Sequence, residues 1–323
     1  MWSTIGEAQL KTKEIMEIYM VKAPDGYYRH SITSFLGLNK GIWLWHLNLA
    51  FRGELDELEF RFYLGQIKGR IISNVSTWEY GSIGIVGHLF TAEEHRRKGA
   101  CTVLMKTQIQ DFLKRGGKIL IGGFKETSYS IAKNLGFKSI VKDSEVMRCD
   151  LFPNFEKVYF HTDKTWCREP MWKDWPGVSL LFTVREGWYL RSMKHKIFGP
   201  FDYEDYFLED MREQLKGICM SKVLVTQKDS IVGYVTLTLR HHLNNSFWLL
   251  DFFIHPSNVS HAHTLLEAIN WPKGKIRCYV EGDNREKQDV LLTRGFQEKM
   301  ILKKHIKRNG KTLNIIVMEC LKQ

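Results

Sequence analysis

The chain of 323 residues has only six cysteines, Cys101, Cys149, Cys167, Cys219, Cys278 and Cys320, and no two of them form a C-x-x-C pair. Cysteines this widely spaced exclude a disulfide framework and point to free thiols in a reducing cytoplasm. Long apolar runs are also missing. The longest, residues 83–90 and 247–254, are far shorter than a membrane span, and Lys11, Lys13, Glu14 and Glu17 interrupt the first helix-like segment, which leaves no secretory h-region. Metal-ligand spacing is absent too. The pair His241-His242 and the pair His261 and His263 lack nearby cysteines or paired carboxylates, so no metal site is expected. There is no arginine-rich tail and no recognisable nucleic-acid module. These absences leave a soluble, cytoplasmic protein without membrane or metal.

What is present is ordinary globular material, 44% hydrophobic and 26% charged, in a chain long enough for two domains of about 150–170 residues. The formal charge of +11 favours phosphorylated or polyanionic partners. Its Lys and Arg are scattered, which weighs against nucleic acid.

One basic cluster is not scattered. Apolar residues over 83–90 predict a buried strand, and Val103, Leu104, Ile109, Phe112 and Leu113 predict a helix over 102–114. Between them lie Arg96, Arg97, Lys98, Gly99, Ala100, Cys101 and Thr102. Cations, a glycine and small residues ahead of a helix let backbone N–H groups approach an anion at the positive end of the helix dipole. Around this turn the patterning predicts a helix over 10–22, a strand over 42–51, a hairpin of 58–64 and 70–77, and a turn at Glu79-Tyr80-Gly81. After it come a cap at Arg115-Gly116-Gly117, a parallel strand over 118–122 and a helix over 127–135 that stops at Gly136-Phe137.

Arg96-x-x-Gly99-x-Cys101 between strand and helix, followed in order by strand, helix and the run Asn134-Leu135-Gly136-Phe137, resembles the GNAT acetyltransferase superfamily. Cys101 stands where that family usually has Gly or Ala. The resemblance covers residues 60–148 and implies a fold that is α/β (α+β), a mixed, mostly antiparallel sheet with a central parallel strand pair and flanking helices. It also implies that acetyl-CoA is the co-substrate, with Leu89, Phe90 and Thr91 pairing with pantetheine and residues 96–102 taking the pyrophosphate.

The second half repeats the plan: a strand over 163–170, Asp174 capping a helix at Trp175-Pro176, a helix over 202–215, a hairpin of 218–226 and 231–239, and a strand over 247–255. A helix near 261–269, a strand over 276–280 and a helix ending at Arg294-Gly295-Phe296 complete it. Between Pro256 and Leu265 there is no glycine and no basic turn. The expectation is two GNAT-like domains, 1–155 catalytic and 156–323 degenerate, the latter structural or shaping the acceptor site.

For proton transfer, His88 on the strand before the pantetheine contacts could accept the amine's proton, with Glu79 and Glu93 as other bases. The family often places a tyrosine four residues before the Gly of Gly-Phe to protonate the thiolate. That position is Ala132 here, and Tyr129 is the nearby substitute. Cys101 at a helix start could have a stabilised thiolate or simply be small. Trp166, Trp172, Trp175 and Trp188 read as packing or as an aromatic wall for an acceptor. The function expected is acetyl transfer to a small-molecule or peptide amine by direct transfer in a ternary complex. A non-catalytic acyl-CoA-binding or regulatory protein is the alternative.

Overall fold

A computed structural model describes residues 1–38, 40–141, 144–200, 205–242, 245–308 and 311–323. The chain forms two units, one of Met1–Phe155 with Met171–Gly177, the other of Glu156–Pro170 with Val178–Gln323. Residues 171–177 thus belong with the first unit although they follow its main stretch in sequence.

The first unit contains β1 (Trp2–Gln9), β2 (Ile15–Lys22), α1 (Arg29–Phe35), α2 (Gly41–Arg52), β3 (Glu59–Ile67), β4 (Arg70–Tyr80) and β5 (Ile83–Thr91). Then follow α3 (Ala100–Lys114), β6 (Ile119–Gly123), α4 (Glu126–Asn134), β7 (Lys138–Ser139) and β8 (Val146–Asp150). Its strands form one sheet in the order β1-β2-β3-β4-β5-β6-β8-β7. All neighbours are antiparallel except β5 and β6, which run parallel through the crossover helix α3. Beneath α3 and α4 lies a core of Met16, Ile18, Val75, Val86, Leu104, Phe112, Leu120, Phe124 and Phe137.

Two expectations fail here, each for a physical reason. Residues 10–22 are a turn and the strand β2 rather than a helix. Met16 and Ile18 are buried while Ile15 and Glu17 are exposed, so burial follows the two-residue period of a strand. Residues 42–51 are helix α2 rather than a strand. Its buried set of His46, Leu47, Leu49, Ala50 and Phe51 covers more than one stripe, which blurs the helical period in the sequence. Gly53 closes the helix in the left-handed conformation.

The second unit is built from α5 (Phe155–Tyr159), β9 (Thr165–Arg168), α6 (Trp175–Phe182), β10 (Leu190–Ser192), β11 (Ile197–Phe198), α7 (Tyr206–Leu215), β12 (Cys219–Thr226) and β13 (Ile231–His242). It ends with β14 (Asn245–Ile254), α8 (Ala262–Glu267), β15 (Gly274–Glu281), α9 (Arg285–Leu292), β16 (Gln297–Arg308) and β17 (Lys311–Lys322). Phe155 and Trp175–Gly177 are the residues of α5 and α6 that fall in the first unit. The expected start of α7 at Asp202 lies outside the described residues. The sheet order is β16-β17-β15-β14-β13-β12-β9, again antiparallel except for one pair, β14 with β15.

Set side by side, the two sheets have the same connectivity. β2, β3, β4, β5, β6, β8 and β7 of the first unit correspond in order and direction to β9, β12, β13, β14, β15, β17 and β16 of the second. β1 is an addition at the edge of the first sheet. Both units are therefore mixed, mostly antiparallel sheets around one parallel pair.

Candidate functional site

In the first unit the parallel ladder is short. It runs from Ile83 opposite Ile119 to Val86 opposite Gly122 and goes no further, although β5 continues to Thr91. The strand leaves its partner because it is bulged on its other side. Ser76 pairs with Gly87 and Asn74 with Phe90, so His88 and Leu89 together face the single residue Val75. His88 takes the left-handed conformation at φ 47°, and the Nδ2 of Asn74 donates to its carbonyl at 2.8 Å. Gly87 is required next to it. A Cβ there would come within 2.6 Å of the Trp78 ring.

Beyond the bulge, Leu89 packs on the core under α3, whereas Phe90 is exposed and meets Phe35 edge-on at 5.1 Å. Thr91 is held from both sides. Its Oγ1 lies 2.8 Å from Ser73 Oγ, and its carbonyl accepts from Arg96 Nε at 3.2 Å.

The chain then makes a short turn at Glu93–His95 and enters α3 through Arg97 at φ 61° and Gly99 at φ 99°. Among the described residues no side chain caps the start of α3, whose N-cap residue is Gly99. The free first-turn N–H groups of Ala100, Cys101 and Thr102 carry the positive end of a helix of 15 residues. Arg96 and Arg97 are exposed beside it. Lys98 is tied down, its carbonyl accepting from Lys11 N–H at 3.1 Å and its ammonium 3.6 Å from Glu14.

Cys101 departs from the reactive-thiol expectation. It packs against the core beneath α3, and burial pushes its thiol up to about 11, more than the helix dipole and neighbouring cations offset. The reading that survives is that of a small residue at a close-packed helix start.

His88 is also turned inward. Its ring meets Trp43 at 5.2 Å, Trp78 at 4.9 Å and Phe60 at 6.0 Å, both nitrogens are buried without a hydrogen-bond partner among the described residues, and burial lowers its pKa to about 4. Behind it is a residue the sequence reading did not single out. His46 on α2 is fully buried with neither nitrogen partnered among the described residues, and burial with His88 nearby lowers its pKa to about 3. Its i, i+3, i+4 neighbours Trp43, Leu49 and Ala50 were the available signal. Trp172 and Trp175 close the same cluster, at 5.3 and 5.2 Å from His46. Trp166 and Trp188 are elsewhere, in the second unit.

Tyr129 on α4 is half-buried and its hydroxyl lies 2.8 Å from Ser139 Oγ. Ala132 is fully buried. Glu93 is exposed in the turn before the basic loop. Glu79 is far along β4 from the bulge, opposite Gly84, and binds two guanidiniums, Arg115 through both carboxylate oxygens and Arg61 at 3.3 Å. Burial raises its pKa, against the pull of Arg115 and Arg61. A cavity of about 690 Å³ beside it is lined by Lys22, Glu59, Arg61, Glu79 and Arg115. These charges pair with one another, as Lys22–Glu59, Arg61–Glu59 and Arg115–Asp111 show. Asp56, Glu57 and apolar residues such as Pro24 and Leu55 complete the lining.

A bulged strand leaves its parallel partner here and leads through a basic loop to the positive end of an uncapped helix, an arrangement able to meet an anion. Solved structures that resemble this chain include acetyltransferases. One is a GNAT-family acetyltransferase of Streptococcus pneumoniae, with 14% identity over 49% of this chain and 99% of that one, at a TM-score of 0.41. Another is a GNAT-superfamily phosphinothricin acetyltransferase of Sinorhizobium meliloti in complex with AcCoA, with 12% identity over 49% and 88% and a TM-score of 0.39. A third is the ribosomal-protein-alanine N-acetyltransferase of Brucella melitensis, with 16% identity over 48% and 99% and a TM-score of 0.39. No protein-family model matches the chain, and no curated protein does.

Proposed function

We propose that the protein is an acetyl-CoA-dependent N-acetyltransferase, with residues 1–155 as the catalytic domain and 156–323 as a degenerate copy. The observation that carries this reading is the departure of β5 from β6 at a bulge, directly upstream of the uncapped start of α3. Acetyl-CoA, the second substrate, supplies the activated thioester. The N–H groups of Gly99 to Thr102 and the charges of Arg96, Arg97 and Lys98 fit its pyrophosphate. The open edge of Leu89, Phe90 and Thr91 offers backbone groups to pantetheine and holds the thioester for attack. A small-molecule or peptide amine attacks directly in the ternary complex. His88 is the proposed proton acceptor, although burial lowers its pKa to about 4 and weakens it as a base, and Tyr129 is the proposed donor to the thiolate.

The second reading, an acyl-CoA-binding protein without turnover, is favoured by one observation: both His88 nitrogens are sealed in the aromatic cluster. The two readings separate in a coenzyme A release assay over a panel of amines. Release with at least one amine, reduced at least tenfold by Tyr129→Phe, supports the transferase. Tight acetyl-CoA binding with no release supports the binding protein. Calorimetric titration that detects no acetyl-CoA, or an affinity unchanged by Gly99→Glu with Arg96→Ala, removes both.

A further inference from the structure

In the second unit, too, the parallel strands part early. β14 pairs with β15 only from Trp248 opposite Ile276 to Leu250 opposite Cys278, although β14 runs to Ile254 and β15 to Glu281. There is no bulge here, since β13 and β14 keep one unbroken register from Gly233–Ile254 to His242–Asn245. The residue after the last parallel pair, which is Gly87 in the first unit, is Asp251 in the second. Its carboxylate is buried.

Residues 188–194 lie against both strands beyond this point. On the β14 side, Asp251 accepts from Ser192 Oγ at 2.9 Å, from Met193 N–H at 3.1 Å and from Lys194 N–H at 3.1 Å. On the β15 side, the fully buried Glu281 accepts from the Leu190 N–H, and Lys287 Nζ at the start of α9 donates to the Leu190 carbonyl at 3.5 Å. Side chains fill the remaining space. Leu190 enters the cluster of Ile306 and Ile315, Trp188 stands edge-on to Phe252 at 5.1 Å, and the Arg191 guanidinium lies 4.4 Å over the Phe253 ring. Trp188, Leu190, Arg191 and Ser192 are each at most 5% exposed. The far end is pinned to α7, where Lys194 Nζ sits 2.5 Å from both Asp210 and Glu213, and His195 Nε2 is 3.1 Å from Asp210.

We propose that the parting of β14 and β15 forms a peptide-binding groove whose ligand is the chain's own segment 188–194. The groove reads backbone through Asp251, Glu281 and Lys287, and side chains through the Leu190 and Trp188 contacts. A buried carboxylate that loses its donors is costly, and the segment supplies three donors to Asp251 and one to Glu281, whose other oxygen accepts from Asn284 Nδ2 at 3.4 Å. The groove therefore has no room for a pantetheine arm, and its acyl-CoA arm below rests on the function proposed for the first unit.

Hydrogen exchange on the full chain tests the groove without any cofactor. The amides of Leu190, Met193 and Lys194 are expected to exchange at least 100-fold more slowly than in an unstructured peptide. Glu281→Gln should speed Leu190 at least tenfold while β12 and β13 stay protected. Exchange of these three amides at the free-peptide rate in the unaltered protein overturns the proposal, even where the variant fails to fold. In a titration of the full chain with acetyl-CoA, one equivalent bound supports the groove's occupancy and two equivalents overturn it. Binding of none sinks the function proposed above, and the exchange rates then decide the groove alone.

Discussion

Cys101 shows how two local influences on one side chain are weighed. A helix start beside arginines lowers a thiol's pKa, and burial raises it. Burial is the larger effect here, leaving the thiol near 11. At pH 7.5 its alkylation by iodoacetamide should be on the order of 100-fold slower than that of free cysteine. A rate equal to free cysteine, read by mass spectrometry of the tryptic peptide, would contradict the packing described. The type of residue at 101 is visible in the sequence; the packing of its Sγ against the core is not, because that depends on side chains from distant strands.

Among the elements, the stretch from β3 through α4 was legible because its signals were local. Glycines marked the turns, the apolar period changed from two to nearly four at Gly99, and Gly136 ended α4 at φ 95°. Residues 10–22 and 42–51 were misread for the opposite reason. Leu10, Ile15, Ile18 and Tyr19 fall at helix-like spacing by coincidence, and α2 is apolar on so much of its surface that its period disappears. The bulge at His88 left no mark in the sequence. It depends on Asn74 and Trp78 of the neighbouring strand. The ion-pair ladder that joins β2, β3, β4 and the end of α3 was equally hidden, since Lys22, the Glu59–Arg61 pair, Glu79 and Arg115 are far apart in the chain. Its centre is testable. Glu79→Ala leaves Glu59 as the carboxylate partner of Arg61 and Asp111 as that of Arg115, and should cost about 3 kcal/mol. The midpoint of urea unfolding for the first unit should fall with its slope unchanged, and an unchanged midpoint would show the ladder to be inert.

Across the whole molecule, the two units should respond to pH with opposite sign. In the first, His46 and His88 have pKa values lowered to about 3 and about 4, below the value of about 6.5 of an unfolded histidine. The unfolded chain takes up protons that the folded one refuses, so stability is full above pH ~6.5 and falls as pH drops from there towards 4. In the second, Asp210 and Glu209 offset burial and the repulsion of Lys194, raising His195 to about 9. Its contribution is complete below pH ~6.5 and is lost as pH rises through about 9. Calorimetry across pH 5 to 9 should show one transition weakening on the acid side and another on the alkaline side. His46→Phe should flatten the first dependence and leave the second intact. Two transitions that move together would rule out this assignment. No helix among the described residues is long and apolar enough to cross a membrane.

The shared connectivity of the two sheets has a practical consequence. Every titration of the intact chain with a phosphorylated ligand contains its own blank. Helix α8 follows β14 as α3 follows β5, but His261 rather than a left-handed glycine precedes it. Coenzyme A added to isotope-labelled protein should move the amide resonances of Gly99 to Thr102 and leave those of Ala262 to Leu265 in place. Equal movement at both would mean that the ligand is sensing helix ends in general rather than the loop of Arg96 to Gly99.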